Sequence, residues 1–347
     1  MPFEIKVLAT KKDSNELLRY WDEYLEQHPQ ATFFHRVGWK EVVERAFGHR
    51  TYYLYASDQE RIVGILPLVH VNSVLFGNSL VSTPFCVYGG ILADSTVVSD
   101  QLRAKASQLA EELRVDTLEL RNLGSSDSDW VKKDLYVTFR KELPEDSEAV
   151  LPFIPNKQRA VVRKGIKAGL TAEEGWHGRR MYDVYAESLR DLGTPVFSRY
   201  YFDILREVFG EDCRSMMIQH EDQDVAGVLS FYFRDQVLPY YAGSTAASRG
   251  LHAHGYMYWA LMKNAVDQGI KVFDFGRSKK GTGSYSFKKN WGFKAEPLDY
   301  EYLLVKSKSI PEVNPLNPKY QYFIRAWKSL PLPLANRFGP ILARSLG

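Results

Sequence analysis

The chain has 347 residues, 45% of them hydrophobic and 25% charged, a balance that excludes the charge-rich, core-poor composition of disordered chains. At roughly 100 to 200 residues per domain, one minimal domain is also excluded and two core-forming units are expected. The net charge of +3 hides an asymmetry: from Lys306 onward seven basic residues face Glu312 alone, while the residues before it carry 38 basic and 41 acidic side chains.

A mildly acidic body with a basic tail predicts an anionic partner at that end. The opening MPFEIKVLATKKD has no apolar stretch of the secretory kind, and no apolar run approaches the ~18 residues of a spanning helix. Cys86 and Cys213 lack metal-ligand spacing, and the eight histidines form no HExxH or similar pattern. No disulfide scaffold and no metal are expected, and a reducing cytoplasm fits best.

In chain order, the first well-marked helix places Trp39, Val42, Val43 and Ala46 at i, i+3, i+4, i+7 and ends at Phe47-Gly48. A strand, the polar turn Ser57-Asp58-Gln59-Glu60 and a second strand with Gly64 follow. The chain then runs through 85–92 into a helix near 98–113 and a strand at 117–120. A linker is expected at 143–146, where Pro144 interrupts. Beyond it, Arg159, Arg163 and Lys167 recur at i, i+4, i+8 on one cationic helix face, with Val162 and Ile166 on the other. The first pattern then returns at an offset of 162 to 163 residues: Tyr201, Ile204, Leu205 and Val208 at helical spacing, Phe209-Gly210, the turn Glu221-Asp222-Gln223-Asp224, and Gly227. A strand at 237–242, a helix near 256–268 and a strand at 271–275 complete it. The alternative to a duplicated α/β domain is chance likeness of two helix-strand-strand units.

A strand-helix-strand progression after an antiparallel meander is the order of an acetyltransferase-like (GNAT) sheet. The fold class expected is therefore α/β (α+β), with two tandem GNAT-like domains at 1–145 and 146–305. Residues 306–347, rich in proline, form a basic appendage. The segment after Lys319 interleaves Tyr320, Phe323, Ile324, Trp327, Leu330, Phe338, Ile341 and Leu342 with four basic residues, so it either meets an anionic membrane surface or docks on the domains.

The most informative stretch is DFGRSKKGTGSYSFKKNWGF, residues 274–293. Gly276, Gly281 and Gly283 permit close backbone approach, and Arg277, Lys279, Lys280, Lys288 and Lys289 can hold negative charge. The stretch is either an anion site or a solvated basic loop. It is not a Walker loop, because GxxxxGK[ST] does not occur.

Phe287-Lys288 followed by Trp291-Gly292-Phe293, after an Asp-Phe-Gly strand end in the second of two such domains, resembles the FemABX aminoacyltransferases. The nearer resemblance is to the FemAB-related proteins associated with XrtA/PEP-CTERM systems. It extends over nearly the whole chain, including Pro315-Leu316-Asn317-Pro318-Lys319-Tyr320 and Leu330-Pro331-Leu332. The resemblance implies transfer of an aminoacyl group from tRNA to an amine of an envelope precursor, with Lys288 near the reacting carbonyl and Phe287 shaping the pocket. A fixed ammonium there would stabilise the oxyanion more than the ground state. The alternative is a surface lysine. The cationic helix face either grips a pyrophosphate, a tRNA backbone or an anionic glycan or is simply solvated, and the resemblance, in which the second domain begins with an arginine-bearing helix, implies the binding role for Arg159 and Arg163.

Other residues are weighed against plainer roles. Asp274 orients an amine, pairs with Arg277 or caps a turn. Of Tyr240 and Tyr241, strand alternation sends one to a cleft and the other to the core. Arg277, Gly283 and Tyr285 join the substrate-binding set. Trp39, with His35, matches the family's acceptor-side helix yet reads first as core, and 79–90 is a candidate stretch of the same groove. Where acetyl-CoA enzymes carry a Q/R-x-x-G-x-G/A turn, this chain reads Ser248-Arg249-Gly250-Leu251-His252-Ala253-His254-Gly255, so a carrier other than CoA is favoured. His252 and His254 either cap the helix start or supply a base.

The expected function is an acyl or aminoacyl transferase acting on an amine or hydroxyl of a cell-envelope or exopolysaccharide precursor. No cofactor is bound permanently; the activated donor is aminoacyl-tRNA, acyl-CoA or an acyl-carrier thioester. The partners expected are a sugar-containing or lipid-linked precursor, a tRNA donor, and the membrane through the tail, at the inner face of the cytoplasmic membrane. The rivals are a CoA-dependent N-acetyltransferase on an amino sugar and a non-catalytic assembly factor.

Overall fold

In a computed structural model of the chain, the described residues are 3–8, 15–59, 61–73, 77–124, 128–310 and 318–345. The elements run β1 (Phe3–Leu8), α1 (Asn15–Gln27), α2 (Gly38–Phe47), β2 (Arg50–Asp58), β3 (Arg61–Ser73), β4 (Gly77–Ser82), β5 (Leu92–Ala93), α3 (Thr96–Glu112), β6 (Thr117–Asn122) and β7 (Val131–Lys132). Next come β8 (Tyr136–Glu142), α4 (Val150–Phe153), α5 (Asn156–Lys167), β9 (Thr171–Gly175), α6 (Gly178–Leu192), α7 (Arg199–Phe209), β10 (Cys213–His220), β11 (Gln223–Phe233) and β12 (Gln236–Ser244). The chain continues through α8 (Ala253–Asp267), β13 (Val272–Asp274), β14 (Ser278–Lys279), α9 (Gly283–Asn290), β15 (Ala295–Pro297), β16 (Asp299–Leu304), α10 (Pro318–Lys328) and α11 (Leu332–Ala343).

These elements divide into two units. One comprises Met1–Tyr136, Leu298–Val313 and Arg344–Gly347; the other comprises Val137–Pro297 and Asn314–Ala343. The sequence reading put the boundary near 145 and set 306–347 apart. In the structure the division falls at the start of β8, and α10 and α11 count with the second unit. Glu60, Pro311, Glu312 and 315–317 lie outside the described residues.

The first sheet has the order β1-β2-β3-β4-β6-β16-β7, with β5 on β3, and the second β14-β8-β13-β12-β11-β10-β9, with β15 on β8. Each is an antiparallel meander followed by one parallel pair, β4 with β6 and β12 with β13. The duplication extends to an irregularity. In the first hairpin Ala56 faces Gly64 and Ser57 faces Ile62; in the second Ile218 faces Ala226 and Gln219 faces Asp224. Val63 and Val225 are thus the extra residues of matching β-bulges, a shared defect that chance likeness does not produce. The strand next to β6 is β16, which the chain supplies only after passing through Val137–Pro297, and the strand next to β13 is β8, which opens that stretch.

In the first unit Trp21, Trp39, Tyr53, Phe33 and Phe34 are fully buried. In the second, β11 and β12 are covered on both faces. On one face a Cβ added at Gly165 of α5 would meet Tyr256 Cβ at 2.9 Å, and one at Gly255 of α8 would meet Val161 Cγ1 at 2.6 Å. Two glycines therefore let these helices cross at close range. On the other face Gly227 lies against Met181 and Gly243 against the α6 backbone at Tyr185. Of the two residues expected on the apolar side of α5, Val162 is buried but Ile166 is 44% exposed. Gly165 occupies the contact with α8 instead, because a larger side chain would hold the helices apart.

Candidate functional site

The residues singled out in 274–293 gather in the second unit, where β12 and β13 part. β12 pairs with β13 only at Gln236 and Val237 and then runs on to Ser244, while β13 stops at Asp274. The gap that opens has β12 along one side. There the partner of Leu229 is Tyr241 and that of Ser230 is Pro239, so Tyr240 is a bulged residue. Pro239, which has no N–H to give a ladder, is tolerated at such a break. Tyr241 is buried; its hydroxyl shares a 2.7 Å hydrogen bond with Tyr201 and its ring packs on Phe202. Tyr240 is half-buried, with its ring 4.9 Å from that of Tyr241 and 5.2 Å from that of Phe231, so the bulge breaks the alternation expected of this strand and sets the two tyrosine rings against each other.

After β12 the chain turns into α8. Gly250 and His252 both take left-handed backbone conformations, φ +82° and +58°, and no side chain caps the first amides of α8. Histidine in that region costs energy that glycine avoids. An uncapped helix start with its positive dipole end is suited to an anionic carrier. Burial lowers the pKa of His254, so its imidazole stays neutral at physiological pH.

After β13 the chain forms a tight polar turn. Asp274, buried, accepts from the Gly276 amide at 2.7 Å and from Thr138 Oγ1 at 3.3 Å, with Arg140 Nε at 3.5 Å. Gly276 has φ +64°, which only glycine adopts cheaply. Asp274 therefore caps this turn, the plainest of the roles open to it. Lys288 Nζ, from α9, donates to the carbonyls of Phe275 (2.6 Å), Gly276 (3.0 Å) and Arg277 (2.9 Å). All three ammonium hydrogens are thereby engaged. Burial, with Arg277 adding to it, lowers the Lys288 pKa to about 8 against the pull of Asp274. The amine sits in the fold and is not a surface lysine.

Around it Phe287 lies between Tyr258 (5.5 Å) and Trp291 (6.0 Å), and Tyr285 packs edge-on to Phe139 (5.5 Å). Burial pushes the Tyr258 hydroxyl up to about 12. Gly283 opens α9 in open space. Arg277 is half-buried in the turn. The structure thus brings together Asp274, Arg277, Gly283, Tyr285, Phe287 and Lys288. On α5, Arg159 is occupied structurally, with Nη2 donating to the Pro152 and Ile154 carbonyls at 2.6 and 3.1 Å, while Arg163 is exposed. Sequence reasoning missed Thr138 and Arg140, which reach Asp274 from a strand 134 positions or more earlier. It also missed Tyr258, whose spacing in α8 reads as core.

Two expectations in the first unit are corrected. Trp39 is fully buried, with Nε1 donating to the Phe33 carbonyl at 3.1 Å, so it packs the core and lines no groove. His35 is likewise buried against Thr32 and Gly90, and desolvation holds it neutral, with a pKa of about 3. The segment 83–90 is folded inward: Arg121 holds the Cys86 carbonyl, Tyr300 the Val87 carbonyl, and a Cβ at Gly90 would strike Asn122. It follows β4 as the turn into α8 follows β12, but it is closed by its own hydrogen bonds.

Residues 156–289 match the family model described as the acetyltransferase (GNAT) domain. No curated protein matches the chain. Among solved structures it is similar to FemX, at 12% identity over 92% of this chain and 100% of that one, with a TM-score of 0.65. A tandem GNAT protein from the clavulanic acid biosynthesis pathway shares 13% identity over 88% and 100% (TM-score 0.57). L-PGS from Bacillus licheniformis shares 12% over 92% and 98% (TM-score 0.56). The tandem GNAT-like fold is therefore the fold of this chain. Its second unit carries an acetyltransferase-type domain, and acyl transfer is the chemistry of that domain.

Proposed function

We propose that the chain is an acyl or aminoacyl transferase that moves an activated carboxyl group onto an amine or hydroxyl of a cell-envelope or exopolysaccharide precursor in the cytoplasm. The observation that carries this reading is the parting of β12 from β13 beside the uncapped start of α8, closed at its end by the turn that Lys288 holds. The donor, an aminoacyl-tRNA, acyl-CoA or acyl-carrier thioester, places its phosphates toward α8, with Arg163 among the exposed cations of α5. The acceptor amine attacks the carbonyl carbon, the π electrons move to oxygen, and collapse expels the carrier's sulfur or oxygen, which takes up the proton the amine gives up. Lys288 acts on the oxyanion through its charge, since its hydrogens are committed to the 275–277 carbonyls. Asp274, Thr138 and Arg140 keep that turn in place. Phe287 and Tyr285 form the apolar wall, and Arg277 and Tyr240 lie where the substrate approaches. The resemblance of Phe287-Lys288 and Trp291-Gly292-Phe293 to the XrtA/PEP-CTERM-associated group supports the exopolysaccharide context.

A second reading, a CoA-dependent N-acetyltransferase on an amino sugar, is favoured by the family match and by the α8 start. Acetyl-CoA at ~100 times its dissociation constant stabilises a binding fold by about 2.7 kcal/mol, so a thermal shift of that size selects this reading. Radiolabelled transfer from each donor class, run with the wild type and Lys288→Ala, tests the first. Turnover lost in a folded Lys288→Ala protein supports the role of Lys288, and unchanged turnover removes it. Failure of every donor class leaves a non-catalytic assembly factor.

A further inference from the structure

The last helix of the second unit is turned inside out. α11 buries Ala335, Gly339 and Ala343 at i, i+4, i+8 and exposes Leu334, Phe338 and Ile341 at i, i+4, i+7, the last at 65%. Small residues face inward because the helix lies close to the chain beneath it: a Cβ at Gly339 would meet the Val196 carbonyl oxygen at 2.9 Å. α10 shares only the outward half of this pattern. Ile324 packs against Gly193 and Trp327 is buried, while Tyr322 (71%) and Phe323 point outward. Leu192, next to Gly193, extends the exposed apolar area at 62%. A water-facing helix ordinarily does the reverse. Five of the large apolar side chains exposed among the described residues belong to these two short helices, a concentration that marks an interaction surface.

Its charge selects the occupant. Arg325, Lys328 and Arg337 are exposed among these apolar groups, and residues 318–345 contain no Asp or Glu. Bulky apolar side chains interleaved with cations, and no acid, match a bilayer surface of anionic headgroups over acyl chains. Among the described residues no helix is long and apolar enough to cross a membrane. We infer that α10 and α11 form a membrane-docking face for anionic lipid, carried on the outer side of α6, with Phe338, Ile341, Tyr322 and Leu334 entering the interface and the three cations meeting lipid phosphates.

Flotation of the full chain with vesicles of equal parts phosphatidylglycerol and phosphatidylcholine, against phosphatidylcholine alone, tests this. Binding is expected to the anionic vesicles only and to weaken at least tenfold as salt rises from ~0.1 M to ~0.5 M. Neutralising Arg325, Lys328 and Arg337 with Gln lowers the partition coefficient by on the order of a hundredfold, at about fivefold per charge. Phe338→Ser with Ile341→Ser lowers it comparably, and both variants keep the wild-type melting temperature because the altered side chains are exposed. Equal binding to both vesicle types, wild-type binding by both variants, or no binding by the wild type overturns the inference. So does a concentration-dependent dimer that the Phe338→Ser, Ile341→Ser protein loses, which would make the face an interface between copies of the chain.

Discussion

Raising the pH from 7 to 10 is expected to stabilise the fold through Lys288 while silencing transfer over the same interval. The Lys288 pKa in the fold is about 8, against the ordinary lysine value of 10.5. Below pH 8 folded and unfolded chains both hold the proton, and the fold bears the full desolvation cost of a buried ammonium. Between 8 and 10.5 the fold has released a proton that the unfolded chain retains, so stability rises with pH. A difference of 2.5 units at 1.36 kcal/mol each is ~3.4 kcal/mol in all, of which about 2.5 kcal/mol is recovered between pH 7 and 10. Urea unfolding of the wild type and of Lys288→Met across this range isolates the effect. Subtracting the two curves cancels the buried tyrosines, which titrate in both proteins. The wild type should gain about 2.5 kcal/mol on the variant, and its turnover should fall through pH ~8 as the charge beside the oxyanion disappears. A flat difference curve refutes the argument: it would mean that the three carbonyls of 275–277 outweigh desolvation and keep the amine charged throughout.

Four substitutions probe the surroundings. Asp274→Asn removes the charge that raises the Lys288 pKa, so the alkaline limb of the pH–rate profile moves below 8, and the loss of a buried partner of Arg140 costs about 3 kcal/mol by urea unfolding. Gly243→Ala drives a methyl to within 2.9 Å of Tyr185 Cα and 3.1 Å of the Val184 carbonyl oxygen. Both atoms are backbone of α6, which cannot swing aside as a side chain can, so the substitution costs ~1–3 kcal/mol, read as a lowered melting temperature. Arg163→Glu, at an exposed position, raises the donor KM about tenfold and leaves stability within ~0.5 kcal/mol. The same change at Arg159 destabilises the fold, because its guanidinium holds the Pro152 and Ile154 carbonyls, and parallel melting curves separate the two arginines.

Legibility in the sequence followed the range of the interactions. The repeat could be read because its helices and hairpins obey local periodicities, and an offset of 162 residues even carries the bulges at Val63 and Val225. The 274–293 loop stood out because glycines and lysines between aromatics are unusual in composition. The partners that fix its geometry did not. Thr138 and Arg140 lie on β8, whose place beside β13 follows from chain topology and leaves no trace in local spacing. Trp39 looked eligible for a groove until the packing of Phe33 and Phe34 enclosed it. Ile166 fitted an apolar stripe, yet Gly165 took the contact, because helix crossing distance is set by the smallest side chain at the crossing and not by hydrophobicity.

The amino-acid order by itself determined two GNAT-like halves, a cationic helix opening the second, a basic and apolar end, and Lys288 as the cation worth following. Only the tertiary structure decided that this cation is spent on three carbonyls, that Asp274 caps a turn, that 83–90 is folded shut, and that α11 shows its large side chains to solvent. Periodicity states which residues share a face. What covers that face, and how close a charge lies to its acceptors, depends on segments brought together from far along the chain.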